Sequence, residues 1–346
     1  MEIQEQVDLT PFNSFGVSQR AAYFAEINQA SDLQQAREFA ASEHLPLMVL
    51  GGGSNTLFIK DYPGLILYMN CKGRDLLAEP GRLRVAAGEN WHELVIFCLQ
   101  NGLYGIENLA LIPGTVGAAP IQNIGAYGVE FEQFFVELEA YDLRTGETRK
   151  MGKADCEFGY RDSIFKQDPS QKLVVLSVTL QLSLKTAPVL GYAGLKEALG
   201  EQEATPQNVF DAVCAIRRSK LPDPEEVGNA GSFFKNPVVS RSKYNALKVS
   251  HPELPSWSTE DPDLVKLPAA WLLEQSGWKG KSKGGAAVHQ NHALVLVNQN
   301  NASGEEITID LPDLGEGWAP VFGEGDDVPP SVGIHPLAGR VWARPK

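Results

Sequence analysis

Residues 112–128 read IPGTVGAAPIQNIGAYG, and this stretch places four glycines and two prolines among small and polar side chains. With so few bulky side chains, the backbone itself must approach another group closely. A flat ring system suits such a surface, because backbone amides can bond its heteroatom edge while small residues pack against its face. The alternative is an elaborate buried loop that binds no ligand.

A second glycine-rich stretch, GGGSN at residues 51–55, follows the apolar run LMVL at 47–50. Between two predicted strands, its backbone N–H groups could surround a pyrophosphate. A glycine-rich hairpin turn would look the same, so both interpretations stay open. The stretch is not GxGxxG and no regular helix is predicted after it, which disfavours a Rossmann-type dinucleotide site.

The surrounding patterns predict an α+β fold. A helix is expected from Ser31, the candidate N-cap, and another over WHELVIFCLQNG at 91–102. Residues 136–151 alternate on both sides of a Thr-Gly turn, which predicts a hairpin. The run at 172–184 predicts a strand whose buried face carries Val174, Leu176, Val178, Leu180 and Leu182. Strands dominate the first half with few helices between them, unlike a regular βαβ array.

A chain of 346 residues is too long for one ordinary core and predicts two or three domains. A helix predicted over PQNVFDAVCAIRRSK opens the second half, so the boundary is placed between Leu184 and Thr205. We expect one domain at residues 1–190 and a second at 205–307. The remaining tail, 308–346, holds 6 Gly and 6 Pro among 39 residues, a composition typical of loop or disorder.

The formal net charge of -13 repels nucleic acid but leaves anionic small ligands possible. Four widely separated cysteines form no CxxC pair, which argues against structural zinc or a redox dithiol and predicts buried thiols in a reducing compartment. The amino terminus lacks an apolar signal region, and no apolar stretch of about 18 residues occurs. These features predict a soluble cytoplasmic protein without a membrane partner.

The stretch GNAGSFFKNP at 228–237 places Ser232 among small residues. A GxSxG nucleophile elbow is absent because Phe234 occupies the final glycine position, so acyl transfer is disfavoured, although the hydroxyl can still give a proton. His92-Glu93 lacks the second histidine of HExxH, since Ile96 stands there, and His289 and His292 have no third ligand nearby in sequence. No metal site is predicted.

Several of these stretches belong to an ordered series of motifs over roughly residues 12–300: FNSFG, GGGSN, IPGTVGAAPIQNIGAYG, FGYRDSIFK, KLPDP, GNAGSFFKNP and GGAAVH. This series resembles the UDP-N-acetylenolpyruvoylglucosamine reductase (MurB) family. The resemblance implies a PCMH-type FAD-binding domain of two α/β subdomains, followed by a smaller α+β substrate-binding domain. It also implies a cytoplasmic, monomeric FAD enzyme of peptidoglycan synthesis that uses NADPH to reduce the enolpyruvyl ether of a UDP-sugar to UDP-N-acetylmuramate.

The family's functional residues carry over by motif. Arg161 of FGYRDSIFK corresponds to the arginine that stabilises the developing carboxylate charge, and Ser232 corresponds to the proton donor. The segment VLGYAGL at 189–195 resembles the tyrosine loop of one subtype, type I. Substrate contacts are expected from Tyr160, Tyr192, Lys220 and Asn236. FAD contacts are expected from Gly51, Gly52, Gly53, Ser54, Asn55, Pro113, Gly114, Gly117, Ala118, Gln122, Gly125 and Tyr127.

The sequence departs from the family after Ile307. The family's EPEV-like motif, whose glutamate assists proton delivery, has no counterpart in 308–346. A divergent tail and a reading-frame change near Ile307 are both possible, and the second is the working hypothesis. Two other functions stay open. One is another PCMH-type flavin oxidoreductase, although GGGSN has no neighbouring histidine for covalent FAD attachment. The other is an inactive nucleotide-sugar binding homologue.

Overall fold

The structure is a computed structural model and describes residues 1–167 and 172–307. The glycine- and proline-rich tail predicted at 308–346 lies outside the described residues, together with the hypothesis of a reading-frame change. By Cα packing the chain divides into two compact units. Of the described residues, the first unit comprises 1–8, 20–54, 61–167 and 172–219, and the second comprises 9–19, 55–60 and 220–307.

The segments 9–19 and 55–60 therefore belong to the second unit, so the two units cannot be separated by a single cut in the sequence. The helix over Pro206–Lys220 groups with the first unit as far as Ser219, although the sequence analysis placed it in the second domain. The domain limits 1–190 and 205–307 remain predictions.

The first unit contains a mixed set of strands and helices. Its strands are β1 (Ile3–Asp8), β2 (Arg20–Ile27), β3 (Leu47–Leu50), β4 (Tyr62–Met69), β5 (Arg74–Leu76), β6 (Arg82–Ala86), β7 (Gly125–Ala126), β8 (Val129–Glu130), β9 (Phe135–Asp142), β10 (Glu147–Gly152) and β11 (Leu173–Gln181). Its helices are α1 (Ala30–Ser42), α2 (Trp91–Gln100), α3 (Lys153–Cys156), α4 (Ile164–Gln167), α5 (Ala193–Leu199) and α6 (Pro206–Lys220).

The first sheet has the order β1-β2-β4-β3, in which β2, β4 and β3 run parallel and β1 is antiparallel to β2. The central strand β4 carries the fully buried run Leu65, Ile66 and Leu67, as expected of a strand covered on both faces. Helix α1 confirms the predicted helix, but Gln29 is its N-cap and not Ser31. Asp32 fixes this start because its carboxylate accepts the backbone N–H groups of Asn28 and Gln29.

The second sheet is antiparallel throughout, with the order β10-β9-β11-β6-β5. Strands β9 and β10 confirm the predicted hairpin, whose Gly146 has a φ of +82°. The predicted alternation along β11 is wrong at its middle, because the register shifts between Val175 and Ser177. This β-bulge buries Val175 and leaves Leu176 half-buried.

Helix α2 confirms the second predicted helix, and its buried face comprises Trp91, Leu94, Val95 and Cys98. The Asn90 side chain caps its start by accepting the Glu93 N–H at 3.0 Å. Gly102, with a φ of +68°, lies just past its end. The helix start is therefore set by local sequence. The first residues of the helix, Trp91 and His92, form hydrogen bonds with residues 109–114.

The second unit contains smaller sheets. Its elements are β12 (Gly228–Ser232), β13 (Val238–Ser240), α7 (Arg241–Ser250), β14 (Trp257–Ser258), β15 (Leu264–Lys266), α8 (Ala269–Gln275), β16 (Ser282–Lys283), β17 (Ala286–Val288) and β18 (Val295–Asn298). One antiparallel sheet has the order β12-β18-β17-β16 and another β13-β15-β14. Phe15 and Leu57, from the two early segments, are buried in this unit's core with Phe233 and Phe234.

All four cysteines are buried and none forms a disulfide, which confirms the predicted buried thiols. Burial raises the pKa of the Cys98 and Cys156 thiols to about 12, so these thiols stay protonated near neutral pH. Among residues 1–167 and 172–307, no helix combines the length and the apolar character that a membrane span requires.

The first sheet predicts a matched pair of stability effects. Replacing the fully buried Leu65 by Ala removes packing from one face of β4 and should lower the free energy of unfolding by about 2–5 kcal/mol. Leu76→Ala, at a side chain that is 59% exposed, should change it by less than about 0.5 kcal/mol. Urea titrations followed by tryptophan fluorescence measure both, and equal effects would contradict the burial of β4.

Candidate functional site

The two glycine-rich stretches of the sequence meet in the first unit. A Cβ atom added to Gly51 would lie 2.8 Å from the Thr115 hydroxyl oxygen, and one added to Gly52 would lie 3.3 Å from the Gly114 Cα. Gly114, with a φ of +106°, in turn lies where an added Cβ would be 2.9 Å from the Ser54 hydroxyl oxygen. Glycine is therefore required on both sides of this contact, which we call the glycine cradle (residues 51–54 and 113–118).

The second half of the glycine cradle is fixed by backbone hydrogen bonds to residues 87–91. Gly117 donates to the Ala87 carbonyl at 2.8 Å, and Val116 donates to the Glu89 carbonyl at 2.8 Å. Gly114 accepts the N–H of Trp91 at 3.1 Å. A Cβ added to Gly117 would lie 2.5 Å from the Ala87 Cβ, closer than real Cβ atoms come. Residues 116–118 of the cradle are thus held against residues 87–91 by backbone hydrogen bonds and by the close approach of Gly117 to Ala87.

Three donors of the glycine cradle have no protein acceptor. Among the described residues, the N–H groups of Gly52, Gly53 and Ser54 donate no hydrogen bond. The next residue, Asn55, has a buried side-chain nitrogen without a partner in the described part of the chain. Consecutive unpaired N–H groups in a glycine turn suit anionic oxygens. The donor set therefore fits the diphosphate of a dinucleotide such as FAD.

The other predicted cofactor residues continue from the cradle. Pro113 is exposed, Ala118 ends a short 3-10 turn over Val116–Ala118, and Gln122 ends the next one over Pro120–Gln122. Gly125 lies in β7. The predicted cofactor residues from 113 to 127, which we call the cofactor strip, are all at least partly exposed in the first unit, and 113–118 contact residues 51–54.

Asn123 holds the strip in place from inside. Its fully buried side chain accepts the Glu132 N–H at 3.0 Å and donates to the Gly159 carbonyl at 3.1 Å. Its backbone has a φ of +44°, a left-handed conformation that asparagine tolerates better than most residues. One buried amide therefore links the cofactor strip to the segment that carries Tyr160 and Arg161.

Arg161 contacts the same strip. Its guanidinium donates to the carbonyls of Asn123, at 3.4 Å, and Gly125, and lies 3.7 Å from the Glu130 carboxylate. It also lies 5.4 Å from the Tyr160 ring centroid in a cation–π contact. Arg161 itself has a φ of +54°, a strained conformation for an arginine. The side chain is thus fixed in orientation and remains 27% exposed.

Tyr127 joins the strip to the predicted tyrosine loop. Its ring meets the Tyr192 ring edge-on, with centroids 5.1 Å apart. The buried Asn108 donates to the backbone carbonyls of Tyr127 and Val189, both at 2.9 Å, and so connects the two segments from below. Tyr192 is 42% exposed. The structure therefore brings Tyr192, a predicted substrate residue, against Tyr127, a predicted cofactor residue.

Arg217 is a site residue that the sequence analysis missed. Burial raises the pKa of the Tyr127 hydroxyl, and the neighbouring Arg217 guanidinium partly opposes this. Burial also lowers the pKa of Arg217, whose Nε has no hydrogen-bond partner in the described residues. Its only sequence signal is its place three residues before Lys220 in α6, on the same helix face. A half-buried guanidinium beside Tyr127 adds positive charge to the strip.

Ser232 lies at the end of β12 in the second unit and is exposed. The register of β12 against β18 shifts between Asn229 and Ser232, and Gly231 in this bulge has a φ of +67°. The buried Asn229 side chain stabilises the bulge by accepting the Gly231 N–H at 2.9 Å. The hydroxyl of Ser232 has no partner among the described residues, so it is free to act on a ligand.

Two more predicted residues lie in the second unit. Asn236 is partly used in the fold, because its Oδ1 accepts the Ala269 N–H at 3.0 Å at the start of α8. Its amide nitrogen remains for a ligand. Lys220 is exposed at the end of α6. Burial lowers the pKa of His292, and the charge of Lys220 lowers it further. Ser232, Asn236 and Lys220 belong to the second unit, whereas Arg161, Tyr160 and Tyr192 belong to the first.

The glycine cradle predicts a large effect of one methyl group. Gly117→Ala would press its Cβ against Ala87 and displace the turn over 116–118, so the purified protein should retain less than about a tenth of its flavin. Gly152→Ala is the matched control, because its Cβ would meet only the Asp155 carboxylate at 3.7 Å. The ratio of flavin to protein absorbance measures both variants. Full flavin occupancy in Gly117→Ala would contradict the role of the cradle.

Two family models match the chain. The model described as FAD binding domain matches residues 21–152, and the model described as UDP-N-acetylenolpyruvoylglucosamine reductase, C-terminal domain, matches residues 223–309. The first match contains the glycine cradle, and the second contains Ser232. The family models therefore assign the two halves of the chain to the types of domain that the motif series predicted.

Similar proteins cover most of the chain. The UDP-N-acetylenolpyruvoylglucosamine reductase of Burkholderia multivorans is 47% identical over 307 residues, which is 86% of this chain and 88% of that protein. The protein of the same name from Pseudomonas putida is 46% identical over 310 residues, 88% of this chain and 91% of the other. Identity at this level over this length is far beyond what a shared fold alone produces.

Solved structures support the fold. The MurB structure from Thermus caldophilus matches with a TM-score of 0.66 and 23% identity, covering 91% of this chain and 95% of that one. The 6-hydroxy-D-nicotine oxidase of Arthrobacter nicotinovorans matches with a TM-score of 0.52 and 12% identity, covering 94% and 87%. These matches confirm the predicted α+β fold with a PCMH-type FAD-binding domain.

The motif series, the two domain models and the sequence identity to the curated relatives agree with one another. The residues that make the glycine cradle lie within the matched FAD-binding domain, and the bulged Ser232 lies within the matched C-terminal domain. The chain belongs to the UDP-N-acetylenolpyruvoylglucosamine reductase (MurB) family.

Proposed function

We propose that this chain uses NADPH and bound FAD to reduce UDP-N-acetylenolpyruvoylglucosamine to UDP-N-acetylmuramate for peptidoglycan synthesis. The substrate is the one that the printed names of the relatives carry. The observation that carries the proposal is the glycine cradle, which has three unpaired N–H groups, with the buried Asn55 amide next to them. All of these groups lie within residues 21–152, which match an FAD-binding domain.

The residues proposed to hold FAD are those of the cradle and the strip that follows it. Residues 51–54 would bind the diphosphate, and the small side chains of 113–118 leave room for a planar ring. Bound FAD supplies two-electron redox chemistry between NADPH and the carbon–carbon double bond of the substrate. Tyr127 and Arg217 would border this surface, since both lie at the end of the strip.

Arg161 is proposed to stabilise negative charge on the substrate. Reduction of the double bond leaves charge shared between one carbon and the adjacent carboxylate. A guanidinium whose orientation is already fixed by the carbonyls of Asn123 and Gly125 needs no reorganisation to meet that charge. Its remaining N–H groups can form the forked hydrogen bonds that suit a carboxylate.

Ser232 is proposed to give this carbon the single proton that, with the hydride already added to the neighbouring carbon, completes the reduction. Its hydroxyl is exposed, has no partner among the described residues and follows a glycine bulge that fixes its backbone. General acid catalysis depends first on such geometry. The family's glutamate that assists proton delivery has no assigned residue in this chain.

The remaining predicted contacts concern the substrate. We propose that Tyr160, Tyr192, Lys220 and Asn236 hold it, with Tyr192 belonging to the type I tyrosine loop. Support comes from the exposure of Tyr160 (38%) and Tyr192 (42%) and from the charge of Lys220, which suits a diphosphate. We further propose a cytoplasmic monomer, and light scattering of the purified protein tests the monomer.

The function itself is tested by two half-reactions under anaerobic conditions. NADPH should bleach the yellow protein, and subsequent addition of UDP-N-acetylenolpyruvoylglucosamine should restore the oxidised flavin absorbance. Flavin that is bleached by NADPH but never restored by the enolpyruvyl nucleotide would point to a different oxidoreductase. Flavin that remains attached after denaturation would point to an oxidase with covalent FAD.

Removing one hydroxyl should separate the half-reactions. Ser232→Ala should leave flavin bleaching by NADPH within about twofold of the wild type and slow the enolpyruvyl half-reaction by about 100- to 10,000-fold, because the proton donor is lost. Stopped-flow absorbance measures both rates. The control is Ser250→Ala, at an exposed serine of α7, which should alter neither. A Ser232→Ala variant with normal turnover would refute the assignment.

Arg161→Lys keeps a positive charge but loses the forked geometry. Steady-state kcat should fall by about 100- to 1,000-fold, because transition-state charge loses its prearranged donors. Since Arg161 also bonds the strip, flavin content is measured alongside, and activity is expressed per bound flavin. Arg149→Lys, at an exposed position on β10, serves as the control. Activity per flavin that stays within threefold in Arg161→Lys would contradict the role.

A further inference from the structure

His92, which with Glu93 forms an incomplete HExxH pair in the first turn of α2, is left unused by the proposed mechanism. Its ring nitrogen Nδ1 accepts the backbone N–H of Leu111 at 3.1 Å. Leu111 has a φ of +56°, in the left-handed region where a leucine is strained. A strained residue persists only when its surroundings hold it, and the hydrogen bond to His92 is one such restraint.

The position of the His92 ring is fixed by α6. The ring stacks on Phe210, with centroids 5.6 Å apart and planes inclined by 4°. This stacking restrains the plane of the ring, and the hydrogen bond from the Leu111 N–H holds Nδ1 on the side of Leu111. The imidazole is only half-buried, so protons from solvent can reach it.

Leu111 lies directly before the second half of the glycine cradle. The neighbouring Trp91 bonds the same region twice, through its indole N–H to the Leu109 carbonyl at 2.9 Å and its backbone N–H to the Gly114 carbonyl at 3.1 Å. Two adjacent residues at the start of α2 thus bond positions 109, 111 and 114. Of these three bonds, only the one made by His92 depends on a titratable acceptor.

We propose that His92 is a positioning residue for the FAD-binding cradle, and that it holds the cradle only while its Nδ1 is unprotonated. The inference rests on the proposed function, because it assigns FAD to the cradle. A protonated imidazole has donors on both nitrogens and cannot accept the Leu111 N–H. The strained turn before Gly114 then loses its restraint, and FAD affinity falls.

The direction of the pH dependence follows from the surroundings of the ring. Burial lowers the pKa of His92 from 6.5, Glu93 on α2 opposes this, and the charges of Arg217 and Arg218 on α6 lower it further. A histidine whose pKa is lowered in the folded state contributes stability above its ordinary pKa and loses it as pH falls. Because the pKa of His92 in the folded protein lies below 6.5, the ring takes up a proton only as pH falls below 6.5, and FAD binding should weaken in that range.

Titration of the apoprotein with FAD, followed by flavin fluorescence between pH 5.5 and 8, tests the proposal. The wild-type Kd should rise by about five- to tenfold as pH falls, the effect of one lost hydrogen bond. His92→Asn keeps an acceptor, Oδ1, at the place of Nδ1 but does not titrate, so its Kd should stay flat. His92→Phe keeps the stacking on Phe210 without an acceptor, so its Kd should be raised by a similar factor at every pH.

His44→Asn is the matched control, because this histidine is exposed and, like Leu111, has a positive φ that asparagine accepts. It should retain the wild-type pH dependence. If His92→Asn follows the wild-type pH profile, the proposal is wrong, and this comparison stands even if the Phe variant fails to fold. A wild type that binds no FAD at any pH would refute the proposed function itself, whereas tight but pH-independent binding would refute only the role of His92.

Discussion

The first unit depends on backbone approaching backbone where no side chain fits. Gly51 and Gly52 meet Thr115 and Gly114, and Gly117 lies against Ala87 at a distance that excludes a methyl group. Such contact brings several N–H groups to one surface without side chains between them. The same close approach that leaves the N–H groups of residues 52–54 unpaired also makes them available to an anionic group.

Polar groups beneath this surface stabilise it. Asn123 and Asn108 are fully buried, and each bonds backbone groups from two separate segments of the chain. The start of α2 adds the bonds made by Trp91 and His92. Buried amides are costly unless bonded, so each of these contacts ties the strip to a specific arrangement of its neighbours. The arrangement gives Arg161 and Tyr127 fixed positions in conformations that are strained in isolation.

The second unit holds the hydroxyl of Ser232 at an exposed strand end. The bulge in β12 interrupts its pairing with β18, and the Asn229 side chain stabilises the bulge by accepting the Gly231 N–H. The two phenylalanines that follow Ser232 are buried in the core of this unit, which anchors the strand end. A small residue beside the hydroxyl and an apolar anchor after it explain the composition of GNAGSFFKNP.

The sequence by itself determined the family through its ordered motif series, and it determined the fold class, the helices α1, α2 and α6 and the β9–β10 hairpin through patterns that express local backbone requirements. It failed where a distant partner decided the outcome. The bulge at Leu176 arises from pairing with β9, and Asn236 is drawn partly into capping α8. The start of α1 was predicted wrongly for a local reason, because Asp32 in its first turn accepts the N–H of Gln29. Arg217 belongs to no motif, and His92 stood out only in the incomplete HExxH pair. Only the tertiary structure placed them against Tyr127 and Leu111, because their roles come from burial and from contacts between elements that are far apart in the chain.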